Sequence, residues 1–136
     1  MALSFRIDGE PVTWKRPVWL RRGVVYSPNT PFMQDIQVQL RGQFTGPILQ
    51  GPLRVEVAFY FKRPNNHFAG FIRRADAATW YGRRVDLDNL NKLVFDSMSG
   101  LIYEDDKQIV HLTTSKRYSD RTHGYTDITI WPLPVN

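Results

Sequence analysis

Cysteine is absent from all 136 residues. With it go disulfides, zinc–thiolate centres and a thiol nucleophile. Long apolar runs are missing too: no stretch approaches the roughly 20 residues that a membrane-spanning helix needs. The opening MALSFRIDGE lacks the apolar core of a signal peptide. Histidine is sparse, and His67, His111 and His123 show no ligand spacing. These absences lead us to expect a soluble intracellular protein whose chemistry rests on carboxylates, amines and guanidinium groups. Hydrophobic residues make up 42% of the chain and charged residues 23%, enough apolar side chains for one domain with a sizeable core.

Charge of one sign is also missing, region by region. Residues 62–85 hold six basic side chains against Asp76 alone, and residues 14–22 (WKRPVWLRR) hold four basic ones and no acid. Residues 86–106 reverse the balance, with six acids against Lys92. An acidic island inside a chain of net charge +5 suits a metal-dependent enzyme acting on a polyanion, because bare carboxylates would repel phosphate. Solvated charged faces are the competing explanation.

The spacing of apolar residues predicts an α/β (α+β) chain, with a mixed sheet packed against about two helices. Residues 3–14 read as a strand pair around DGEP, and Val24–Tyr26 as a short strand within a loop. The segment 29–44 predicts a helix capped by Asn29 or Thr30, with Met33, Ile36, Leu40 and Phe44 on one face. Residues 53–61 alternate strictly and predict a strand with its odd positions in the core. Residues 64–84 lack periodicity and form a basic, aromatic loop within the single domain 1–136, long enough to suggest a functional role. A helix follows at 89–98, with Leu90, Leu93, Val94 and Met98 as its buried stripe and Gly100 as its stop. Two strands close the chain, in 107–119 and 124–133.

The stretch VDLDNLNKLVFDSM (85–98) carries the chemistry. In an extended segment Asp86 and Asp88 point the same way, and Asp88 can cap the helix with Lys92 one turn on. A ten-residue helix is ~15 Å long, and five extended residues after Gly100 cover about 16 Å. Asp105 or Asp106 can thus return to the start of the helix, where three or four carboxylates would call for a hard divalent cation. Asp88 as a mere cap, Asp86 as a salt-bridge partner and Glu104–Lys107 as a polar turn form the structural alternative.

Residues 86–110, DLDNLNKLVFDSMSGLIYEDDKQIV, resemble the signature of RusA-type Holliday junction resolvases. Five spaced features agree: DLDN, a lysine three residues on, a helix ending near FD, a DD pair and a QI strand. The resemblance implies a small dimeric endonuclease that cuts four-way DNA junctions with Mg²⁺ or Mn²⁺. It assigns catalytic and metal-binding acids to Asp86, Asp88 and Asp106, a further ligand to Asp105, and an essential lysine to Lys92. Val85 stands where such sequences often carry Arg or Pro. Lys15, Arg16, Arg73, Arg74, Arg83 and Arg84, with Arg21 and Arg22, are the phosphate contacts expected of such a protein. Phe68, Phe71, Trp80 and Tyr81 offer rings for unpaired bases, or for core packing. A non-catalytic branched-DNA-binding module, and a nuclease for flaps and forks, are the alternative functions.

Overall fold

Strict alternation in residues 53–61 produces the strand that everything else packs around: Leu53, Val55, Val57, Phe59 and Phe61 are all buried. The computed structural model describes residues 1–135. Its elements are β1 (Leu3–Asp8), β2 (Val18–Trp19), β3 (Val25–Tyr26), α1 (Thr30–Gln43), β4 (Leu53–Phe61), β5 (Phe68–Ala69), β6 (Ile72–Arg73), α2 (Leu87–Met98), β7 (Ile109–Tyr118) and β8 (Tyr125–Pro132).

Four strands form one mixed sheet in the order β1-β8-β4-β7. The β4–β7 pair is parallel and the other two are antiparallel. Parallel neighbours need a crossover, and α2 supplies it. Ile36 and Leu40 of α1, and Leu90, Leu93, Val94 and Met98 of α2, share one core cluster with the odd positions of β4 and with Phe5, Ile128 and Ile130. Both helices therefore cover the same face of the sheet. Burying each large side chain stabilises the fold by about 1.5–3 kcal/mol relative to leaving it in water. The outer edge of β1 is closed by α1: the Gln43 and Gln39 amides exchange hydrogen bonds with the backbone of Arg6 and Asp8 at 2.7–2.9 Å. Two side chains thus stand in for a missing strand and guard that edge.

Four expectations need correction. The strand pair at 3–14 is one strand only. Its partner is β8, and Pro11, which lacks an N–H, lies in an irregular run over residues 10–17, within which Trp14 N–H donates to the Asn89 carbonyl at 2.9 Å. Helix α2 starts two residues earlier than its periodicity suggests, because Asp86, not Asp88, is the cap. Segment 64–84 is partly built: a 3₁₀ turn at Asn65–His67, the β5–β6 hairpin and a single bridge from Trp80 to Arg117. Asn29 does precede α1, yet its side chain makes no cap; it holds both backbone polar groups of Lys15, at 2.7 and 2.8 Å.

Candidate active site

Helix α2 positions the acids and the lysine. Asp86 has extended backbone, and its carboxylate accepts from the Asn89 N–H at 2.9 Å, a cap that fixes the side chain while satisfying a helix-end donor. Asp88 falls in the first helical turn and is exposed. A carboxylate there is favoured by the helix dipole. Asn89 stays close to the cap, with Nδ2 3.4 Å from Asp86 Oδ2.

Lys92 lies one turn past Asp88. Its ammonium sits over the Trp14 ring, 4.7 Å from the centroid. Trp14 is itself pinned to α2 by its bond to Asn89, so the N-terminal segment delivers an aromatic seat for the lysine and brings Lys15 and Arg16 alongside. Spacing along the chain gives no sign of this pairing, because Trp14 and Lys92 are far apart in sequence.

After Met98 the chain turns tightly. Gly100 adopts φ +81°, open to glycine and unfavourable for other residues, and the Gly100 N–H donates to the Tyr103 carbonyl at 2.7 Å. Tyr103 is fully buried and its hydroxyl donates to the Phe95 carbonyl at 3.1 Å. This compact return uses up the length that an extended return would have spanned. Asp106 comes within electrostatic reach of Lys92 and Asp96. Asp86 and Asp88 share the start of α2, and Asp105 and Asp106 share the start of the 3₁₀ turn. Lys92 is near both. Among the described residues, no three acidic or histidine side chains stand close enough together to hold one ion.

The second pair carries its own tension. Asp105 caps the 3₁₀ turn Asp106–Gln108 and is held below the usual carboxylate range, first by the Lys107 N–H and then by contact with Asp106. Asp106 is pushed up, by partial burial first and then by Asp105. Two neighbouring carboxylates cannot both ionise cheaply; a proton or a cation between them relieves the repulsion. An all-oxygen donor set of this kind suits a hard divalent ion rather than zinc or copper.

The approach to α2 is anchored from the sheet. Lys116 on β7 donates to the Val85 carbonyl at 2.6 Å and to the Arg83 carbonyl at 3.3 Å. Sequence reasoning missed this residue, because its partners are backbone atoms some thirty residues away. Lys116→Met is expected to lower stability by about 1–2 kcal/mol and to speed amide exchange at Asp86–Asn89. Unchanged exchange there would show that Lys116 does not hold the approach.

All eight basic residues expected at the phosphates are exposed: Lys15, Arg16, Arg21, Arg22, Arg73, Arg74, Arg83 and Arg84. Of the four loop aromatics, Phe71 and Trp80 are exposed, whereas Tyr81 stacks on Phe61 at 3.9 Å between centroids. Tyr81 therefore belongs to packing.

The family described as endodeoxyribonuclease RusA matches residues 8–130. The chain belongs to the RusA endodeoxyribonuclease family. The matched range includes every element named above from the end of β1 to nearly the end of β8, and Asp86, Asp88, Asp105 and Asp106 fall inside it. The chain is also 30% identical over 126 residues to "Uncharacterized protein YqaN" of Bacillus subtilis (strain 168), spanning 87% of this chain and 89% of that one. No helix among the described residues of this RusA-family chain is long and apolar enough to cross a membrane.

Proposed function

We propose that this chain is a divalent-metal-dependent, structure-specific endodeoxyribonuclease that resolves four-way (Holliday) junctions in DNA recombination and repair. The observation that carries the reading is Lys92, a cation near both carboxylate pairs on the helix of a RusA-family chain. Asp86 with Asp88, and Asp106 with Asp105, would hold one or two Mg²⁺ ions between them, for which Mn²⁺ would substitute. A bound ion of this kind supplies an activated water and neutralises charge on the phosphate. The residues of the chain do the rest. Lys92 stabilises the charge that builds on the non-bridging phosphate oxygens as the P–O bond breaks, and the Trp14 face keeps its ammonium in place. Asn89 orients Asp86. Lys15, Arg16, Arg73, Arg74, Arg83 and Arg84 bind flanking phosphates, which supplies affinity without sequence preference.

A junction presents two equivalent strands, and a two-fold homodimer presenting two sites matches that symmetry. The absence of a three-acid cluster within one described chain favours a second reading, a module that binds branched DNA without cutting it. Labelled four-way junction and linear duplex, each with Mg²⁺, Mn²⁺ or EDTA, separate the two. Paired, symmetrical cuts in the junction alone, abolished by EDTA, are expected. Binding without cutting in any metal would establish the second reading, and preferential cutting of flaps or forks would move the substrate.

A further inference from the structure

Arg63 is only 7% exposed. Its Nε donates to the Ser119 carbonyl at 3.0 Å, and Nη1 donates to the Ala78 carbonyl at 2.7 Å and lies 3.1 Å from His67 Nδ1. Nη2 has no hydrogen bond among the described residues, and neither ion pair found there, Arg6–Asp127 or His123–Asp8, involves Arg63. A buried guanidinium hydrogen-bonded only to neutral groups is poorly compensated; the Tyr118 ring, 5.3 Å from Cζ, and the field of Asp120 offset this here. Arg73 nearby adds to the positive field.

Two cavities meet at this residue. One, of about 850 Å³, is walled by Lys62, Arg63, Arg73 and Arg121 and by the rings of Phe68 and Phe71. That volume lies within the roughly 300–1,000 Å³ typical of small-ligand sites. Its one carboxylate, Asp120, is already engaged by the Tyr125 hydroxyl at 2.6 Å. Phe71 stands fully exposed beside Gly70 (φ +66°) at the hairpin tip. The other cavity, of about 460 Å³, shares Lys62, Arg63 and Asn65 and runs to Arg83. The Arg83 and Val85 carbonyls are tied together by Lys116, immediately before the Asp86 cap. A mainly basic track, with Glu10 its one carboxylate in the second cavity and bonded there by the Lys62 N–H at 2.9 Å, therefore leads from Arg83 past Arg63 to an aromatic-walled end.

We propose that this cavity is a subsite for one unpaired nucleotide of a DNA strand, with its phosphate on Arg63, Lys62 and Arg121 and its base against Phe68 and Phe71. The proposal rests on the reading that the chain acts on branched DNA. A base inside a duplex shows only its edges, whereas an aromatic wall needs a free ring face. Unpaired nucleotides occur where strands part.

Fluorescence anisotropy in EDTA tests this without cleavage, using labelled hexathymidylate and a duplex of equal length. Wild type is expected to bind the single strand more tightly than the duplex. Phe71→Ala, which removes no buried side chain, and Arg121→Ala are each expected to weaken single-strand binding roughly ten-fold and duplex binding far less. Equal affinity for the two forms, or equal losses on both, would overturn the subsite. Junction cleavage by wild type with Mg²⁺ runs in parallel. Cutting without single-strand preference sinks the subsite alone, and single-strand preference without cutting sinks the nuclease reading alone.

Discussion

Asp88→Asn is expected to lower junction cleavage by about 10³-fold or more while changing junction binding in EDTA by less than a few fold. Metal-held charge stabilisation at a phosphoryl centre is worth several kcal/mol, and each ~1.4 kcal/mol is a factor of ten in rate. The amide keeps the shape of the side chain and its place in the first turn, but it removes the charge. Asp86, not Asp88, holds the cap, so the fold does not depend on Asp88 beyond a dipole contribution of about 0.3–1 kcal/mol. Strand-resolved kinetics and a thermal melt check both halves. A variant that still cuts at near wild-type rate removes Asp88 from the catalytic set.

Lys92→Ala is the second large effect: cleavage falls about 10²- to 10³-fold, the scale of losing one preorganised donor to transition-state charge. Stability should change by less than about 1 kcal/mol, because the side chain is exposed and its contacts are the Trp14 face and helix neighbours. The loss should fall on kcat under saturating junction, since a group that acts on developing charge adds little to ground-state binding. Unimpaired cleavage with a small stability change would make Lys92 a surface partner of Asp88 and Asp96 and nothing more.

The elements with strong periodicity were legible from the residues alone. β4 matches its expected limits, α1 buries the expected Ile36 and Leu40, and α2 buries the whole predicted stripe. The start of α2 was not, because Asp86 and Asp88 are both good caps and spacing cannot choose between them. Placing Leu87 in the first turn chooses Asp86. The tight turn at Gly100, with Tyr103 buried against Phe95, was not legible either, because an extended-chain length takes no account of it. Trp14, Arg63 and Lys116 escaped notice because each acts through partners distant in sequence, often backbone carbonyls. No motif records such contacts. The charge pattern was the more durable guide, since it marked both the acidic island and the basic segments around it.

The most direct test of the central claim is crystallographic: the protein bound to four-way DNA with Mn²⁺, with data collected for the anomalous signal of the metal. The account predicts Mn²⁺ coordinated by carboxylate oxygens of Asp86, Asp88 and Asp106, with the Lys92 ammonium facing the nearest phosphate. Junction bound with Lys92 turned away, and no Mn²⁺ on any of these acids at millimolar concentration, would contradict it.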